Sequence, residues 1–137
     1  MNEGWLAGDY LVLFSKSESE EAFVRYGFEE ILPGYALLGL RSWDDFIVIA
    51  PTGETLSLPT VPLDPKNGEP FSLQRSLALT EDDRYKGKIK WYVKPLVFGG
   101  DPRDEANLTW VNHEQHAQLV HWWNHQYKTL KAQSLGA

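Results

Sequence analysis

FEEILPGYALLGLRSWDDFIVIAPTGETLSLPTVPL, residues 28–63, is the stretch on which the fold turns. Turn residues cut it into short apolar runs. Leu32-Pro33-Gly34-Tyr35 reads as a turn, with Pro fixing φ and Gly accepting a positive one. Tyr35–Leu40 then reads as a strand, and Asp44-Asp45 break it. Phe46–Ala50 is a continuous apolar run, as expected of a central strand. Pro51-Thr52-Gly53 makes a tight connection to Glu54–Leu58, where Leu56 and Leu58 alternate with polar residues. Links this short carry no crossover, so neighbouring strands must run antiparallel.

Toward the N-terminus, Asp9–Ser15 (DYLVLFS) reads as a further strand. Ser17 followed by Glu20 has the spacing of a capping box, ahead of a short helix over EEAFVRYGF. Ala22, Phe23 and Tyr26 form its buried stripe, and Gly27 stops it. Beyond residue 58, four prolines between Pro59 and Pro70 predict an irregular linker held across the sheet by Val61 and Leu63. Gln74–Leu79 suits a short helix and Thr80–Asp83 an exposed acidic turn. Arg84–Val97 alternates: Arg84, Lys86, Lys88, Lys90 and Lys94 fall on one parity, and Tyr85, Ile89, Trp91 and Val93 on the other. That pattern predicts a half-buried strand with a cationic outer face. Gly99-Gly100-Asp101-Pro102 ends it, and an irregular stretch leads to Leu108, Thr109 and Trp110 before the last segment.

That segment, Asn112–Lys131 (NHEQHAQLVHWWNHQYKTLK), is helical in period and holds all four histidines. Asn112 is a good N-cap. At about 100° per residue, His116, Leu119, Val120, Trp123, Tyr127 and Leu130 share one stripe. His121 and His125 lie on the opposite side, and His113 falls between the two faces near Ala117 and Asn124. The histidines therefore do not converge on one ion. His113-Glu114-Gln115-His116 also lacks the spacing of a zinc-protease motif. The expected architecture is α+β: an antiparallel sheet of about four to six strands, packed against a long C-terminal helix and a short N-terminal helix.

Composition narrows the function. At 137 residues the chain has the length of a single domain. It contains no Cys, which removes disulfides, thiolate metal sites and a Cys nucleophile. Its formal net charge of −6 favours basic partners and repels nucleic acid. The lysines of RYKGKIKWYVK also sit on the opposite parity from Tyr85 and Trp91, whereas a base-stacking platform needs cations and aromatics together. No apolar run has the length of a membrane span or a secretory core, so the cytoplasm is the expected compartment. No nucleophile elbow, P-loop or dinucleotide fingerprint occurs. No cofactor is expected.

The six Trp and the acidic turns weigh a binding role above a catalytic one. Candidate contacts for a protein partner are Trp43, Asp44 and Asp45, then Glu81, Asp82 and Asp83, and on the last helix His121, Trp122 and His125. The alternative is a metal-binding protein or metal-dependent enzyme using His121 and His125, which at i and i+4 can share a metal ion.

The early helix, the Leu32-Pro33-Gly34-Tyr35 turn and the aspartate-rich Trp43-Asp44-Asp45-Phe46 turn resemble bacterial immunity proteins of the SUKH type over residues 17–58. In that family the Leu-Pro…Tyr segment opens a helix, whereas Ala36-Leu37-Leu38-Gly39-Leu40 here favours a strand. The resemblance carries over no site residues. It implies a non-enzymatic inhibitor that masks a partner protein, such as a basic toxin domain.

Overall fold

The computed structural model describes residues 1–73 and 78–136, with side chains through residue 132. The meander forms as its turns dictate. Tyr35 N–H donates to the Leu32 carbonyl at 3.2 Å, closing the Pro-Gly turn. Gly53 takes φ +91° in the next connection. Six strands pair antiparallel in chain order: β1 (Asn2–Leu6), β2 (Asp9–Leu13), β3 (Ala36–Arg41), β4 (Asp45–Ile49), β5 (Thr55–Pro59) and β6 (Glu69–Pro70). β7 (Ile89–Tyr92) and β8 (Leu108–Val111) form a separate two-stranded ribbon. Helices α1 (Lys16–Arg25), the one-turn α2 (Phe28–Ile31) and α3 (His113–Gly136) complete the α+β fold expected from the sequence.

One sheet face supplies most of the core. Tyr10 and Val12 of β2, Leu37 and Leu40 of β3, Phe46 and Val48 of β4 and Leu58 of β5 are buried together with Tyr26, Phe28, Ile89, Trp91 and Val120. Leu11 and Ile47, on the opposite face, are equally buried. On the Arg41 side of the sheet the guanidinium lies 4.5 Å from the Phe71 ring centre while pairing with Asp9 at 3.1 Å. Truncating a fully buried aromatic such as Phe46 to Ala should cost about 3–5 kcal/mol.

Several sequence expectations shift. The cap of α1 is Ser15, two residues earlier than expected: Glu18 N–H donates to Ser15 Oγ at 3.2 Å, and Ser15 N–H donates to Glu18 Oε1 at 2.8 Å. Ser15-x-x-Glu18 has the same spacing as Ser17-x-x-Glu20, and the chain leaves the sheet once Phe14 N–H has bonded the Leu38 carbonyl. Gly27 does end α1, but at φ +74° it also starts α2. The helix expected over Gln74–Leu79 falls largely on residues 74–77, outside the described residues.

The long cationic strand is shortened to Ile89–Tyr92. Residues 84–88 form turns instead, with Lys88 N–H donating to the Tyr85 carbonyl at 3.0 Å and Gly87 at φ +73°. Lys86 and Lys88 are therefore turn residues. Ile89 and Trp91 are buried as their parity predicts, but Val93 is exposed, although its N–H still bonds the Asn107 carbonyl of the opposite chain segment at 2.7 Å. The strand's partner is β8, over Leu108, Thr109 and Trp110, to which the sequence alone assigns no element.

α3 begins at the expected cap, with Gln115 N–H donating to Asn112 Oδ1 at 2.8 Å and the Gln115 amide accepting in return at 3.0 Å. His116 and Val120 are buried on the predicted stripe, but Leu130 is exposed. No described side chain after Asn124 is fully buried, so the packed part of the helix ends before Leu130. Asn124, placed between the faces by period alone, is buried and bridges elements. Its Oδ1 accepts from Leu63 N–H at 2.7 Å, and its Nδ2 donates to the Thr60 carbonyl at 2.7 Å.

Candidate functional site

The β3–β4 connection is the most strained turn of the chain. Arg41 pairs with Asp45, and between them Ser42 and Trp43 adopt φ +47° and +65°. Left-handed backbone costs a non-glycine residue roughly 1–2 kcal/mol, and such positions gather at functional sites. Four hydrogen bonds hold it there. Ser42 N–H donates to the Tyr10 carbonyl at 2.7 Å and Ser42 Oγ to Asp9 Oδ1 at 3.2 Å. Asp44 N–H donates to the Ser42 carbonyl at 2.8 Å, and Thr60 N–H donates to the Asp44 carbonyl at 3.0 Å. Since Thr60 is also held by Asn124, helix α3 fixes the turn through a buried relay.

This backbone lays Trp43 on Tyr10, with ring centres 4.8 Å apart and planes 18° apart. Trp5, Tyr85 and Trp110 meet it edge-on at 5.2–6.1 Å. Trp43 is consequently a buried residue, and its indole N–H meets no acceptor among the described residues.

Beside it opens a cavity of about 180 Å³. Trp43, Trp91, Tyr92, Pro59, Val61 and Leu96 supply most of its wall, and Asp44 and Asp45 edge it. Lys90, which is not part of the lining, meets Asp44 beside the cavity: its Nζ lies 3.5 Å from Asp44 Oδ2, 5.9 Å from the Trp43 ring centre and 5.2 Å from that of Tyr92. Burial raises the Asp44 carboxyl above its ordinary range, and Lys90 pulls it back. Burial raises the Asp45 carboxyl likewise, opposed chiefly by Ser57 Oγ, which donates to it at 3.3 Å. Asp45 thus spends its charge on its neighbours, while the Asp44 side chain remains 49% exposed. A carboxylate beside aromatic faces recognises positive charge. The lining contains no histidine and no cysteine that would act as a base or nucleophile.

The other candidates fall into two places. Asp82 accepts from the Arg84 side chain at 3.0 and 2.8 Å and from Trp5 Nε1 at 3.1 Å. The Arg84 guanidinium, then the Trp5 indole, hold its carboxyl well below the usual range. Its charge is therefore already satisfied, whereas Glu81 and Asp83 face solvent. Through Trp5 this acidic turn touches the back of the Trp43 cluster. His121, Trp122 and His125 are exposed on α3. Trp122 stands edge-on to Trp123 at 4.8 Å, and Trp123 packs on Phe98 at 4.7 Å. Phe98 belongs to the same 3₁₀ turn, Leu96–Phe98, that gives Leu96 to the cavity. Among the described residues, no group of three or more His, Cys, Asp or Glu is placed to hold a metal ion.

Of the two remaining histidines, His116 is buried and His113 half-buried. His116 Nδ1 lies 2.6 Å from the Tyr26 hydroxyl, and the ring meets Trp91 edge-on at 5.4 Å. Burial, aided by nearby His113, pulls the His116 pKa down to about 3.

Sequence reasoning found Trp43, Asp44 and Asp45 but not the wall opposite them. Lys90 was read with the outer lysines, and Trp91, Tyr92 and Leu96 as ordinary strand and loop. The available signal is one lysine followed directly by two aromatics, in Ile89-Lys90-Trp91-Tyr92. No helix among the described residues is long and apolar enough to cross a membrane. No family model matches the chain, and neither a curated protein nor a solved structure matches it at a significant level.

Proposed function

We propose that the protein is a non-enzymatic binding protein that masks a partner protein, in the manner of an immunity protein inhibiting a bacterial toxin. The face around the cavity is its contact surface. One observation carries this reading: Val93, Leu96 and Val97 stand 44–54% exposed within five residues of one another, and Leu96 lines the cavity together with Asp44. Leu108, across the ribbon from Tyr92, is a further exposed apolar side chain. Apolar side chains gathered around a polar rim are the usual anatomy of an interface. The net charge of −6 adds long-range attraction for a basic partner.

The test is affinity capture from the native host with wild-type protein and with Leu96→Asp, which keeps the turn but places a charge in the patch. The captured protein is then expressed alone and together with this chain. The reading expects a partner that is retained by wild type, lost by Leu96→Asp, and neutralised on co-expression. A partner held equally by both proteins, or one whose activity is unchanged on co-expression, refutes it.

A further inference from the structure

We infer that the cavity beside Trp43 is a receptor for one cationic side chain, a lysine or an arginine, presented by the partner protein. The inference rests on the masking function proposed above and specifies its chemistry.

The site is already shaped around a positive charge. The Lys90 ammonium stands 3.5 Å from Asp44 Oδ2 and within 6 Å of two aromatic ring centres, which is the geometry of a combined ion pair and cation–π contact. Lys90 reaches this position from its own strand, so it acts as an internal stand-in for an external cation. Its flexible four-carbon stem and partly exposed side chain let the ammonium swing into solvent when another cation arrives. The cavity of about 180 Å³ has room for the end of a long side chain, since one water needs only about 10–15 Å³. Pro59, Val61 and Leu96 offer apolar walls for the methylene stem. Asp44, paired only with Lys90, becomes the carboxylate for the head group once that ammonium swings away, whereas Asp45 is engaged by Ser57 and Asp82 by Arg84 and Trp5. The strained Ser42-Trp43 backbone keeps wall and carboxylate in place before the ligand arrives, which lowers the cost of binding.

The test needs no partner. N-acetyl-lysinamide and N-acetyl-argininamide are titrated into the full chain, and the indole N–H resonances of Trp43 and Trp91 are followed by NMR. N-acetyl-norleucinamide and N-acetyl-citrullinamide serve as uncharged controls. A single side chain is expected to bind with a Kd on the order of millimolar. The shifts should saturate with at least one cationic probe and stay absent with the neutral ones. Asp44→Asn should abolish them. Lys90→Met, which removes the resident charge but keeps the stem, should tighten binding about tenfold. Thermal melts verify that both variants fold, and Lys90→Gln replaces Lys90→Met if the latter does not.

Absence of a saturable shift in both wild type and Lys90→Met overturns the inference. So does equal binding of the neutral probes, or full binding by Asp44→Asn. Probes that bind while the captured partner goes unneutralised refute masking alone. A neutralised partner with unresponsive indoles refutes only the cation receptor.

Discussion

Asn124→Ala tests whether one buried amide joins the helix to the sheet. Asn124 is 6% exposed and satisfies two backbone groups of the linker after β5, the Leu63 N–H and the Thr60 carbonyl, both at 2.7 Å. Its third bond, to the Val120 carbonyl at 3.0 Å, adds little, because that carbonyl lies one helical turn away and has a backbone partner in the helix. Leu63 and Thr60 are themselves buried, so no solvent replaces the lost partners. Each orphaned group costs about 1–3 kcal/mol, which makes a total of about 3 kcal/mol a reasonable centre. For a chain of this length that is a fall in Tm of roughly 10–15 °C. Urea unfolding followed by tryptophan fluorescence measures the loss directly, with an unchanged m value showing that only stability has altered. His125→Ala, next along the helix but exposed, should stay within about 0.5 kcal/mol of wild type. A loss below about 1 kcal/mol for Asn124→Ala, or one matched by His125→Ala, refutes the bridge. Asn124→Asp sharpens the test. It retains an acceptor for Leu63 but sets a carboxylate against the Thr60 carbonyl, so its deficit relative to wild type should shrink as acid restores a proton donor.

Three further outcomes are expected. The His116 pKa is pulled down to about 3 and that of His113 is also lowered, both mainly by burial, so the unfolded chain takes up these protons first, from about pH 6.5 downward. The His116 contribution is complete above that pH and is lost on acidification toward 3, at up to about 1.4 kcal/mol per pH unit, and His113 acts in the same direction. His116→Gln should flatten the pH dependence of urea stability between about pH 6 and 4, and an unchanged slope would count against the assignment. Gly39→Ala should unfold the protein or cost more than about 3 kcal/mol, since its Cβ would run into the Val12 carbonyl oxygen of the neighbouring strand. Circular dichroism at 25 °C decides this, and a native spectrum with wild-type Tm would refute the close approach. Finally, calorimetric titration with zinc should show no stoichiometric binding that depends on His121 and His125, as no third ligand stands with them among the described residues. A 1:1 isotherm abolished by His121→Ala/His125→Ala would restore the metal reading.

The meander was legible because its signals are local. Pro33-Gly34 and Thr52-Gly53 fix turns, and Phe46–Ile49 has no other use than a strand. The Asn112 cap was legible for the same reason. What escaped depends on partners distant in sequence. β1 carries no alternation in Asn-Glu-Gly-Trp-Leu, and it exists through pairing with β2 and through Trp5 bonding Thr80. The apparent period of residues 84–88 is accidental, and Gly87 at positive φ overrides it. Asn124 looked like a boundary residue because nothing nearby reveals that Leu63, 61 positions earlier, needs an acceptor. The candidate site was half visible in the same way: its strained turn is contiguous, while the opposing wall comes from a ribbon whose pairing the sequence does not announce.

The margins of the six-stranded sheet limit how this molecule can associate. On one side Trp5 and Thr80 exchange both backbone hydrogen bonds, at 2.8 and 3.0 Å, and the Thr80 carbonyl lies against Gly4 so closely that no Cβ would fit. On the other side β6 is two residues long and ends in Pro70, which has no N–H to offer. Neither border presents a long template for a foreign strand. The sheet is thereby protected from edge-to-edge polymerisation. Among the described residues, these borders favour recognition by side chains over strand addition.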